Sequence, residues 1–286
     1  MEINNQQSTA QNPLFKHFRQ PGIYFKPPSG GKYWQDGALS LSVTGEVGVM
    51  PMTTKDEITL KTPDALLNGQ GVVNVVQSCC PEIHNAWDMP ATDVDATLIA
   101  IRIASYGNQM DFGSKCPHCE TENDYAIDLG TTLSSIQAPD YTKPVTVNGL
   151  SVKLKPQSYA ELNRASMIAF EEQQILRSIG NSDADPQGAK QQFDDHLQKV
   201  IQLNIGLLAS STESITTEDG TLVTDPGFII EFYDNAENKI IKQVQAHITK
   251  LQQDGGIKPI TVNCNNEECG KEFPVTLTFD YASFFV

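Results

Sequence analysis

No apolar run in this chain approaches the roughly 20 residues that a membrane-spanning helix needs, so the sequence predicts no insertion into a bilayer. Basic residues are scarce: 20 Lys and Arg stand against 35 Asp and Glu, a formal charge of −15. A surface that grips phosphate backbones needs a cation at each contact, so nucleic-acid binding is disfavoured. Charged residues of both signs reach only 19%, against 39% hydrophobic. That balance excludes a disordered solvating chain and provides for a core. Residues 1–18 are polar and lack the basic-then-apolar layout of a secretory signal. The expectation is a soluble intracellular protein, built as two modest domains or as one domain with insertions. Catalytic signatures are also missing: no nucleophile elbow, no His-Glu-x-x-His, no phosphate loop. The chain therefore reads as a non-enzyme with no small-molecule substrate.

Cysteine is too sparse for a disulfide-stapled domain, with six in 286 residues. Four of the six nevertheless fall into two knuckles, Cys116-Pro-His-Cys119 and Cys264-Asn-Asn-Glu-Glu-Cys269. Two or four intervening residues let one turn present both sulfurs to one ion, and Zn2+ takes four ligands tetrahedrally. After each knuckle comes an alternating pattern, Tyr125, Ile127 and Leu129 in one case, Phe273, Val275 and Leu277 in the other. Alternation of this kind predicts half-buried strands. The two knuckles resemble the arms of a zinc ribbon, split by the 144 residues between Cys119 and Cys264. Four thiolates leave no open position for water, so the implied Zn2+ is structural. A redox dithiol would sit at a helix start, and a strand pattern follows instead. His118 reads as a turn residue, and Cys79-Cys80 as core filling.

The rest of the chain divides into an N-terminal arm (1–20), a mixed α/β region (21–115), a zinc-ribbon-like element (116–130 with 260–286) and an inserted, mainly helical subdomain (131–259). The class is α+β. In Tyr24-Phe25-Lys26-Pro27-Pro28-Ser29-Gly30-Gly31-Lys32-Tyr33-Trp34, the prolines hold the backbone extended and the glycines permit a sharp turn. Tyr24, Phe25, Lys32, Tyr33 and Trp34 are candidate partner contacts. Strand character runs from Leu39 to Met52. Helix starts are marked by Thr53-Thr54-Lys55-Asp56, by Thr62-Pro63-Asp64 and by Pro90-Ala91-Thr92-Asp93. In the last of these helices, Val94, Leu98, Ile101 and Ser105 share one face. Asp93 and Asp95 are explained there by capping and the helix dipole, not as an acid–base pair. Asn148-Gly149 marks a hairpin. Three amphipathic helices follow, with stripes from Leu162 to Ile179, from Phe193 to Leu208 and from Ile240 to Leu251.

Several of these segments, taken in order, carry a family resemblance. They are the Pro-Ser-Gly-Gly-Lys-Tyr turn, Met50-Pro51-Met52-Thr53-Thr54-Lys55-Asp56-Glu57, and Pro63-Asp64-Ala65-Leu66-Leu67-Asn68-Gly69. Asp95-Ala96-Thr97-Leu98-Ile99-Ala100-Ile101-Arg102-Ile103-Ala104-Ser105-Tyr106-Gly107 comes next, then the first knuckle with Asp128-Leu129 behind it. The set resembles the T-even (T-four-like) bacteriophage baseplate protein family of contractile-tailed phages, whose members are described as baseplate hub subunits or hub assembly chaperones. It covers residues 20–130 and extends to the second Cys pair and C-terminal strand, while the middle helices match in general character. The resemblance implies a hub or hub-proximal structural component of the virion, made in the host cytoplasm. Its implied partners are other baseplate and tail proteins, with multiple copies of itself as a further option. The alternative is a transient hub assembly chaperone absent from the mature virion. A zinc-ribbon nucleic-acid binder ranks below both, because Glu120, Glu122, Asp124, Glu267 and Glu268 surround the knuckles.

Overall fold

Eight helices and ten strands lie among the residues that the computed structural model describes, namely 14, 17–62, 69–179, 186–276 and 284–285, with backbone alone for 171–179 and 186–196. The strands form one four-stranded and three two-stranded sheets, an α+β arrangement matching the expected class.

The first body gathers around one helix. Strands β1 (Ile23–Phe25) and β2 (Val47–Val49) pair antiparallel. Helix α1 (Thr54–Leu60) starts in a capping box between Thr53 and Asp56. Helix α2 (Gln70–Cys79) follows Gly69, whose φ of 72° suits glycine. The helix start expected at residues 63–67 lies outside the described residues. Helix α3 (Ala91–Tyr106) then passes through the middle, with Val94, Ala96, Leu98, Ile99, Ala100, Ile101 and Ile103 all buried. The sequence stripe assigned α3 one apolar face. It is apolar nearly all round, and such a helix must be wrapped on every side. Val72, Val75 and Val76 of α2, Val47 and Val49 of β2, and Phe284 and Phe285 from the C-terminal end share this core. Arg102 and Tyr106 of α3 fasten that end, donating to the backbone carbonyls of Phe284 (3.0 Å) and Phe285 (3.1 Å). Cys79 and Cys80 have no exposed surface, and burial pushes the Cys79 thiol up to about 12.

Two polar anchors hold the N-terminal segments on this body. Arg19 donates to the carbonyls of Pro51 (2.9 Å) and Ser78 (2.6 Å) and to the carboxylate of Asp56 (3.2 Å). The end of the expected arm is thus fastened to the chain's own body, with a cation at the C-terminal end of α2. Asp93 is the second anchor and has no exposed surface. Its carboxylate accepts from the Ser29 amide (2.7 Å), the Ser29 hydroxyl (2.5 Å) and the Trp34 indole N–H (2.8 Å). The expected capping is not what the Asp93 carboxylate does: α3 has no side-chain cap, and Asp93 instead pins the Pro-Ser-Gly turn 64 positions earlier in sequence. Burial pushes its carboxyl upward, while the donors from Ser29 and Trp34 pull the other way.

Strands β3 (Gln109–Lys115) and β4 (Glu122–Asp128) form the next hairpin, and Asp128 caps helix α4 (Leu129–Ser135). A second body follows. Strands β5 (Val145–Val147) and β6 (Leu150–Leu154) turn at Asn148-Gly149, both at positive φ, as the dipeptide predicts. Helices α5 (Tyr159–Ile179) and α6 (Pro186–Ser210) run out and back. Strands β7 (Thr212–Thr216) and β8 (Leu222–Val223) then extend the sheet to the antiparallel order β5-β6-β7-β8. Helices α7 (Pro226–Asn235) and α8 (Asn238–Gly255) cover it, packing Ile229, Tyr233, Ile240 and Val244 on Val152, Leu154 and Ile215. Segment 131–259, expected as three helices after one hairpin, thus holds a four-stranded sheet and the additional helix α7. Leu176, Ile179 and Phe193 of the expected stripes fall where only backbone is described, and Gly180-Asn181 lies outside the described residues. Strands β9 (Ile260–Asn263) and β10 (Glu272–Val275) complete the chain's last hairpin.

Replacing Asp93 by Ala leaves three donors at a buried position without their acceptor. The expected loss is about 2–4 kcal/mol of unfolding free energy in urea titrations. Asp93→Asn should fall between, since its amide keeps one acceptor but sets an N–H against the Trp34 N–H.

Candidate metal centre

Each knuckle sits at the tip of a hairpin. Cys116 and Cys119 join β3 to β4, and Cys264 and Cys269 join β9 to β10. The sequence pattern revealed the strand after each knuckle, although Leu129 opens α4 instead of continuing β4 and Leu277 lies outside the described residues. It did not reveal β3, whose only apolar alternation is Met110 and Phe112. Both turns close in the same way. The Cys116 amide donates to Thr121 O and the Cys264 amide to Lys271 O, at 2.9 and 3.0 Å. The residue after the second cysteine is left-handed in both, Glu120 at φ 60° and Gly270 at φ 53°. Glycine takes that conformation freely; Glu120 adopts it at a steric cost.

The two tips meet. The four sulfurs all lie within 4.8 Å of one another, with Cys116–Cys269 at 3.9 Å and Cys119–Cys264 at 3.5 Å. A disulfide requires about 2.05 Å, and all four cysteines are free. Tetrahedral Zn–S bonds of about 2.3 Å place sulfurs about 3.8 Å apart, and the two measured pairs bracket that spacing. Cys116 and Cys264 are buried, Cys119 and Cys269 half-buried. His118, three positions from the end of β3, is exposed and outside the cluster. No helix follows Cys119, so the thioredoxin-like arrangement is absent there.

The electrostatics favour a cation. Thr121 beside Cys119 (3.3 Å) lowers that thiol to about 6, while burial raises the Cys264 thiol to about 11. One sulfur ionises readily, and burial first and the neighbouring sulfurs second make the other resist. A divalent ion at the centre removes that conflict, and the donor set fits one.

Contacts beyond the sulfurs lock the hairpins together. Buried Asn123 accepts from the Asn265 amide (2.8 Å) and donates to Thr121 O (2.9 Å), bridging both tips. Tyr125 donates to Asn263 O (2.8 Å), and its ring meets Phe273 edge-on. Sequence inspection missed Asn123; being a polar residue in a strand next to a knuckle was its only signal.

The candidate partner-contact residues diverge. Phe25 is in the core, and Trp34 is half-buried with its N–H given to Asp93, so neither offers its side chain outward. Tyr24 is 63% exposed and Lys32 is exposed. Tyr33, at φ 68°, is partly exposed and meets Tyr141 of the second body edge-on at 5.7 Å.

Two hairpins meet at four thiols that could together hold a metal ion, and no other cluster of metal-ligating side chains lies among the described residues. The chain belongs to the family described as T4 bacteriophage base plate protein, whose family model matches residues 21–286. No curated protein and no solved structure matches the chain. Among the described residues no helix is long and apolar enough to cross a membrane.

Asn123→Ala removes the hydrogen bond from the Asn265 amide across the tips and the one to Thr121 O within the first. Chemical denaturation is expected to show a loss of about 1–3 kcal/mol, with α-helix content unchanged.

Proposed function

We propose that this chain is a permanent structural subunit of a contractile phage tail baseplate, at or beside the hub. It works through protein contacts and without catalysis. Membership of the baseplate family over residues 21–286 is the observation that carries this reading. In it, Cys116, Cys119, Cys264 and Cys269 hold a structural Zn2+ in a split, zinc-ribbon-like element. A four-sulfur set fills the coordination sphere, so the ion clips the two hairpins and offers no site for water. Tyr24, Lys32 and Tyr33 are the exposed part of the aromatic turn and serve as contacts to neighbouring baseplate or tail proteins, or to further copies of this chain. Acidic residues around the knuckles keep the element off nucleic acid. The location is the virion tail, after synthesis in the host cytoplasm.

Quantitative mass spectrometry of gradient-purified particles tests the assignment. A small, fixed copy number matched to the tail's symmetry is expected. Abundance in infected-cell lysate with absence from particles would make the chain a hub assembly chaperone instead.

Elemental analysis of the purified protein should return a single zinc per chain. Stripping it with a strong chelator should lower Tm by about 3–7 °C, the shift that a loss of about 2–4 kcal/mol gives a chain of this size. Retention of Tm after the metal is removed would sink the structural role of the ion.

A further inference from the structure

Helix α7, which the sequence pattern did not reveal, has two working faces. Ile229 and Tyr233 are buried in the second body's core. Phe228, Glu231, Phe232 and Asn235 recur at three and four along another stripe, and that stripe lines a groove of about 580 Å3. The opposite wall is the sheet: Leu150 of β6, Ile215 and Thr217 at β7, and Val223 of β8. Phe228, in the groove wall, is 65% exposed, so the groove is open to solvent there. It opens next to β8, beyond which no strand pairs among the described residues. A sheet edge of this kind can accept an extended segment.

The segment that supplies α7, β7 and β8 carries charge of one sign. Residues 200–238 contain seven acids (Glu213, Glu218, Asp219, Asp225, Glu231, Asp234 and Glu237) and no Lys, Arg or His. Glu213 is neutralised by Lys153 at 2.7 Å, and Asp225 is occupied in capping α7. Glu231, in the groove wall, makes no ion pair among the described residues. Glu218 lies against Gly149, next to Leu150, and brings a second carboxylate to the groove's sheet end. Apolar walls with unpaired carboxylates at the rim complement apolar anchors flanked by cations. Phosphate-bearing ligands, whether nucleic acid or anionic lipid, are repelled by the same rim.

We infer that the groove between α7 and the β7–β8 edge docks a short cationic, amphipathic segment of a partner protein. Phe228 and Phe232 receive its apolar side chains, and Glu231 and Glu218 pair with its Lys or Arg. The inference rests on the reading of this chain as a baseplate protein that works through contacts, and it names which face makes one of them.

The test places the photo-reactive p-benzoylphenylalanine at position 228 of the full chain during infection. Infected-cell lysate and purified particles are both irradiated, and the cross-linked peptides are sequenced. The expected product is a segment of a different protein with apolar residues between Lys or Arg. Glu231→Lys should reduce that cross-link about tenfold while leaving Tm unchanged. A cross-link to a second copy of this chain, a cross-link to an acidic or neutral segment, no cross-link in either sample, or indifference to Glu231→Lys would each overturn the inference. Absence of the chain from particles, with the expected cross-link in lysate, would overturn the permanent-subunit reading and leave the docking groove standing.

Discussion

The meeting of two hairpin tips far apart in the chain is the constraint on which the architecture depends. Cys119 and Cys264 stand 145 positions apart in sequence and 3.5 Å apart in space. Closing a flexible loop of that length costs an unfolded chain about 4 kcal/mol in entropy. Something must offset that cost, and a four-thiol cluster is well suited because metal binding couples directly to folding. Asn123 and Tyr125 show that the protein does not leave the task to sulfur alone: both reach from the first hairpin to the backbone of the second. With the base closed, the long excursion is free to become a body with its own sheet and core.

That excursion packs Ile136, Tyr159 and Leu162 on the first body's core, and directional contacts fix the join. Tyr159 donates its amide to Met89 O (2.7 Å) and sets its ring beside Trp87. Ala91 at the start of α3 donates to Gln157 O (2.7 Å). Tyr33, on the turn that Asp93 pins, reaches Tyr141 on the other side. The buried carboxylate thus has an influence beyond its own neighbours. It fixes the turn, and the turn carries an aromatic side chain to the junction of the two bodies. A buried carboxylate is costly unless its oxygens are satisfied, and three donors from Ser29 and Trp34 satisfy this one.

Much of the site was legible because its chemistry is local. The spacing within each knuckle, the turn residues after it and the alternation in β4 and β10 are all short-range signals. The capping box at Thr53 and the Asn148-Gly149 turn belong to the same class. Helix α7 was equally legible in principle, since Asp225-Pro226 supplies a cap and a proline at the first helical position. Its ten residues are too few for a strong stripe, and two of its faces are apolar for different reasons. Strand β7 hides because Thr and Ser supply most of its residues.

By itself the sequence determined the two cysteine knuckles, the acidic net charge, the α+β class and the ordered segments that mark a baseplate protein. These follow from residue type and short spacing, which need no knowledge of what packs where. Only the tertiary structure decided that the two knuckles converge, that Phe25 and Trp34 turn inward, that Asp93 holds a distant turn, and that α7 leaves an acid-rimmed apolar groove open. Each of those depends on which residues far apart in sequence become neighbours. Pairings of that range are selected by the burial of whole faces, not by the propensity of any one segment.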